Sequence, residues 1–126
     1  MEWQHGEVHW TELATRDVTA TRAYYTEVCG WSWSEMPMPD GTYHVAMMGE
    51  QMVCGLYDMS DTPGMENVPA HWLTIFAVTD VESAVEATKA QGGQILRAPF
   101  DVPEVGRIAI VTDPSGAALG LMTPSG

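Results

Sequence analysis

Leu13-Ala14-Thr15-Arg16-Asp17-Val18 and Phe76-Ala77-Val78-Thr79-Asp80-Val81 carry one plan twice: the end of an apolar strand, then an Asp placed to cap a helix. The echo extends outward at a fixed offset of 63 residues, because Asp17 maps to Asp80, Val18 to Val81, Gly30 to Gly93 and Val45 to Ile108. Self-similarity of this kind decides architecture before any local reading does.

From the two Asp residues the elements follow in order. Val8 to Thr15 is rich in residues that favour a strand, and Val18, Thr21, Tyr25 and Val28 then fall on one face of a helix closed by Gly30. Val81, Ala84, Val85 and Thr88 repeat that face in the second half, with Lys89 near the helix end, where the dipole favours a cation, and Gly92-Gly93 closing it. Short extended segments come after each helix: 31–36, 43–48 and 52–59, then 94–98, 107–112 and 117–122. Turns are marked by Pro39-Asp40-Gly41, Gly49-Glu50 and Asp113-Pro114-Ser115-Gly116. The predicted unit is strand, helix, strand, strand, strand, twice over. This is an α+β chain of two tandem βαβββ modules forming a concave, mostly antiparallel sheet. Module one spans about residues 7–60, a Pro-bracketed linker about 61–70, and module two about 71–124, all within a single domain of 126 residues.

Composition narrows the partners. Five basic against seventeen acidic residues give a formal net charge of −12, which repels phosphate backbones and anionic lipid surfaces. No nucleic acid and no membrane are expected as partners. No apolar run approaches the roughly 20 residues that cross a bilayer, and Met1 to Glu7 lacks the pattern of a leader, so a cytoplasmic setting is expected. Cys29 and Cys54 have no metal-clip spacing beside them and read as buried, inert thiols. A Gly-rich phosphate loop, a nucleophile elbow and a Cys-His pairing are all lacking.

Two fused βαβββ units of this size resemble the vicinal oxygen chelate superfamily, which includes glyoxalase I, bleomycin-resistance proteins and extradiol dioxygenases. The pieces that carry the resemblance are Arg16-Asp17, Ala23-Tyr24-Tyr25-Thr26-Glu27-Val28-Cys29-Gly30-Trp31 and Asp113-Pro114-Ser115-Gly116-Ala117. Pro99-Phe100-Asp101-Val102-Pro103-Glu104-Val105-Gly106-Arg107 is similar to a bacterial subgroup typified by the Cfp30B antigen and by proteins labelled hydroxylases. A shared fold fixes a scaffold and leaves the reaction open.

The resemblance implies a divalent metal held by His and Glu from the first and fourth strand of each module. Carried over position by position, those places fall on Trp10, Gly55, Leu73 and Gly120. An indole, an isobutyl group and two hydrogens offer no donor for such an ion. No metal and no cofactor are therefore expected, although a register slip of one residue would bring in His9 and of two would bring in His71.

Strand alternation places Trp10, Glu12 and Ala14 on one face, so Glu12 is the candidate acid or base, or a ligand acceptor. Nine Met and five Trp residues point to an adaptable apolar cavity. The expected ligand-binding set is Trp10, Glu12, Trp33, His44, Tyr57, Leu73, Phe100 and Arg107; His44 and Arg107 correspond under the repeat, since 44 + 63 = 107. The expected function is metal-independent binding of a small hydrophobic or aromatic metabolite or antibiotic, by a homodimer as the resemblance implies. The alternative is a glyoxalase-like lyase, isomerase or dioxygenase, using Glu12 as acid or base or a metal at shifted ligands.

Overall fold

The structure, a computed structural model, describes residues 2–38, 41–60 and 62–125. The elements run β1 (Val8–Thr15), α1 (Val18–Cys29), β2 (Ser32–Met38), β3 (Gly41–Met48), β4 (Gln51–Asp58), β5 (His71–Ala77), α2 (Val81–Ala90), β6 (Gln94–Val102), β7 (Gly106–Thr112) and β8 (Ala118–Pro124). The α+β plan of two βαβββ modules is thus present. Strands exceed the predicted segments most at β6, which continues through Pro99-Phe100-Asp101 to Val102. Of the three predicted turns, Pro39-Asp40 lies outside the described residues. At Asp113 the turn is closed by the side chain, whose Oδ1 accepts from the N–H groups of Ser115 at 2.8 Å and Ala117 at 3.1 Å.

The chain divides into two compact units, and the division does not follow the repeat. One unit is Thr11–Trp72; the other joins Met1–Trp10 to Leu73–Gly126. The N-terminal segment belongs to the second of these because Gly6 donates to the carbonyl of Ala77 at 2.7 Å, Ala77 donates to that of Glu7 at 2.9 Å, and Thr79 donates to Nδ1 of His5 at 3.0 Å.

In the Thr11–Trp72 unit the strand order is β2-β3-β4-β1. β2–β3 and β3–β4 are antiparallel, and β1 closes the set parallel to β4. Asp17 caps α1 as its spacing predicts, accepting from Ala20 N–H at 3.0 Å, and Gly30 ends the helix in the left-handed region at φ 74°. The apolar face read onto α1 does not sink into a core: none of its residues is fully buried, and Val28 is 60% exposed. Rings hold the helix instead. Tyr25 stacks on Trp31 with centroids 5.2 Å apart and meets Trp72 edge-on at 5.7 Å, while Trp33 Nε1 donates to Thr26 Oγ1 at 3.0 Å. Part of the aromatic excess therefore serves the fold. The linker is pinned by Arg16, which donates to the carbonyls of Val68 at 2.7 Å and of Met65.

In the other unit the order is β5-β8-β7-β6, with β5 parallel to β8 and the remaining pairs antiparallel. Asp80 caps α2 by accepting from Glu82 and Ser83, and the helix buries Val81 and Val85 against Val78, Ala109, Val111 and Leu121. Each fully buried aliphatic side chain contributes on the order of 1.5–3 kcal/mol, so α2 is anchored where α1 is not. The expectation of two buried thiols is corrected: Cys54 is buried, but Cys29 ends α1 and is exposed.

Candidate functional site

Register fixes which side chains share a face. In the Thr11–Trp72 unit, Glu12 of β1 and Val45 of β3 both stand opposite Gly55 of β4, so the three lie on one side. Tyr43, two residues before Val45, shares that side, as do Ala14 and its partner Tyr57. Tyr43 Oη donates to Glu12 Oε2 at 2.7 Å. A Cβ on Gly55 would lie 1.6 Å from Tyr43 Oη, so the phenol fills the space the glycine leaves. Withdrawal of the Glu12 carboxyl from water raises its pKa above the ordinary value; the Tyr43 hydrogen bond and the nearby His71 pull in the opposite direction without cancelling it. Tyr57 is engaged by the hydroxyl of Thr62.

His44 and Trp33 occupy the opposite side. His44 stands across from Leu56, one place out of phase with Gly55, and its Nδ1 accepts from Arg22 of α1 at 3.3 Å. Burial and that guanidinium hold the imidazole below its ordinary pKa. Trp33 lies under the same Arg22, 5.4 Å from ring centroid to guanidinium carbon. The structure does not bring these two residues to Glu12.

The second unit repeats the glycine arrangement with apolar groups. Ile75 stands opposite Gly120 as Glu12 stands opposite Gly55, and a Cβ on Gly120 would fall 2.8 Å from Ile75 Cγ1. Leu73, Ile75 and Met122 are buried together, with Trp10, Ile108 and Ile110 packed against them. Phe100 stands opposite Ile108 and carries the guanidinium of Arg97 3.6 Å from its ring centroid. Arg107, expected as a ligand-orienting cation, is committed elsewhere: Nε and Nη2 grip the Glu82 carboxylate at 2.8–3.1 Å and Nη1 meets Asp101 at 3.1 Å. Those partners hold Arg107 firmly in its charged form, and the Arg107 guanidinium in turn pulls the Glu82 carboxyl below its usual range.

Tyr43, one of the aromatic residues of the sequence's apolar inventory, and Arg97 are not in the expected ligand-binding set. Tyr43 maps under the offset of 63 to Gly106, so the repeat gives it no support. Only the β3–β4 register reveals it.

A divalent ion of the kind the resemblance implies does not fit the four carried-over positions. Trp10 and Leu73 are packed in an apolar cluster, and the space at Gly55 and Gly120 is taken by Tyr43 and Ile75. Among the described residues no group of three or more His, Cys, Asp or Glu side chains is placed to hold a metal ion.

Residues 7–121 match the Glyoxalase/Bleomycin resistance protein/Dioxygenase superfamily, and the chain belongs to that family. It is 36% identical over 123 residues to CFP32 of Mycobacterium tuberculosis (strain CDC 1551 / Oshkosh), whose name provisionally makes it a glyoxylase; the match covers 95% of this chain and 46% of that protein. It is 30% identical over 128 residues to the anthracycline biosynthesis protein DauV of Streptomyces sp. (strain C5), covering 92% and 46% respectively. The chain thus spans less than half the length of these relatives. Among solved structures, hypothetical protein BH1468 from Bacillus halodurans C-125 superposes with a TM-score of 0.70 at 11% identity, covering 98% of this chain and 97% of that one. That likeness shows the fold alone.

Proposed function

We propose that the chain binds a small hydrophobic or aromatic molecule and does so without a divalent metal at the family's positions. The observation that carries this reading is the Tyr43–Glu12 hydrogen bond lying over Gly55, where the family pattern calls for a metal-binding carboxylate. A phenol and a largely desolvated carboxyl give a ligand directional polar partners in place of an ion. On this reading Glu12, Tyr43 and Tyr57 supply polar recognition to a ligand held in the Thr11–Trp72 unit, whereas Trp10, Leu73 and Phe100 offer apolar contact to one held in the other unit. Trp33, His44 and Arg107 are left to support the helices they touch. DauV, whose name places it in anthracycline biosynthesis, is a relative compatible with an aromatic ligand.

The raised pKa of Glu12 favours one second reading, in which the same carboxyl works as an acid or base in a lyase or isomerase. Calorimetry with a panel of naphthalene-sized aromatics, run with EDTA and then with added Zn²⁺ or Mn²⁺, tests the first reading. Binding should be indifferent to the chelator and weakened by Glu12→Gln and Tyr43→Phe. Binding that vanishes with EDTA overturns it, and turnover that collapses in Glu12→Gln selects the second. By similarity to its relatives the chain is read as a homodimer, which light scattering across a concentration series checks.

A further inference from the structure

Five basic side chains face seventeen acidic ones in this sequence, so a cation without a carboxylate is unexpected. Among the described residues, Arg22 pairs with Glu35, Lys89 with Glu86, and Arg107 with Glu82 and Asp101. Arg16 is occupied by the carbonyls of Met65 and Val68. Arg97 differs from all four. Its guanidinium lies 3.6 Å from the centroid of the Phe100 ring, and among the described residues it makes no hydrogen bond and no ion pair. A guanidinium laid on a ring keeps its N–H donors around its rim, in a fork that matches two anionic oxygens. Asp101, next to Phe100 on β6, is drawn to Arg107 instead.

The surroundings of Arg97 are apolar. It stands opposite Ile110 and Phe100 stands opposite Ile108, on either side of an irregularity in β6. Both isoleucines pack, with Trp10, on the buried Leu73, Ile75 and Met122. An uncommitted cation beside such a wall is suited to a ligand with two parts.

We infer that Arg97 is an anion-recognising residue, and that the ligand taken by this unit is a flat apolar molecule bearing a carboxylate or a phosphate. This rests on the reading that the chain binds a small apolar molecule, and it adds the charge that a molecule held in this unit must carry. The net charge of −12 opposes anions elsewhere on the surface, so the preference depends on this one guanidinium.

The test is calorimetry on the full chain with 1-naphthoate, its methyl ester and 1-naphthyl phosphate, for the wild type, Arg97→Gln and Arg97→Lys, with thermal unfolding to confirm that each variant folds. One or both anions should bind about tenfold tighter than the ester, the size expected of a charge-assisted hydrogen-bonded pair. Arg97→Gln should erase that advantage and leave the ester unchanged; Arg97→Lys should restore part of it. Whichever anion gains more identifies the headgroup. Equal binding of anion and ester, or an advantage that survives Arg97→Gln, overturns the inference while the apolar reading stands. If none of the three probes binds, both fall.

Discussion

Tyr43 and Gly55 share one volume: the phenol oxygen of the first lies 1.6 Å from the place where a Cβ of the second would be. The glycine is therefore a condition for the Tyr43–Glu12 hydrogen bond, and the tyrosine is the reason a larger residue is not accommodated.

Gly55→Ala should destabilise the fold by about 2 kcal/mol, the usual range for forcing a methyl group into filled space. Chemical denaturation measures it. Tyr43→Ala made first should remove most of that penalty, because the clashing atoms all belong to the Tyr43 side chain. Equal costs in the two backgrounds would show that the phenol does not occupy the space.

Glu12 should make stability fall with rising pH. Its folded pKa is raised above the ordinary 4.5, so its contribution is complete below that value and declines as pH climbs through the higher folded value. Asp58 and Asp113, whose pKa values are lowered, act in the reverse sense but equally in wild type and variant. Glu12→Gln minus wild type isolates the contribution of this carboxyl. That difference should favour the variant increasingly as pH rises above about 4.5, and a difference independent of pH would show that the carboxyl is not desolvated.

Helix α1 should exchange its amide hydrogens faster than α2. No α1 residue is fully buried, whereas Val81 and Val85 anchor α2 in a cluster of buried side chains. Val85→Ala should cost about 2 kcal/mol and speed α2 exchange. Native-state exchange read by mass spectrometry decides the order.

A thermal-shift panel of Zn²⁺, Ni²⁺, Mn²⁺ and Fe²⁺ should leave unfolding unchanged. An ion bound to the native state at a hundred times its Kd would add about 2.7 kcal/mol, well within detection. A clear upward shift that Glu12→Gln removes would place an ion at this carboxyl and end the metal-free reading.

What the sequence carried well were features set by local chemistry. Asp17 and Asp80 cap helices as their spacing requires, and the equivalence of Gly55 with Gly120 holds in register, since each faces the repeat-related pair Glu12 and Ile75. What it carried poorly were features set by pairing between strands distant in sequence. The alternation of β1 located Glu12, but a face assignment for Trp33, His44 and Arg107 needs the register of their partners. One place of phase sends His44 beneath α1 to Arg22. Composition misled in a similar way, because Tyr25, Trp31 and Trp72 answer the question of how a helix without a buried face is held.

The N-terminal arm has a consequence for how this polypeptide could be rearranged. Because residues 2–10 complete the unit that otherwise begins at Leu73, severing the polypeptide at its repeat boundary would strip one fragment of an edge it needs. A circular permutant opened after Trp72, with the two ends joined by a flexible bridge, would make that split unit contiguous, as the Thr11–Trp72 unit already is. The duplicated halves are thus not interchangeable cassettes.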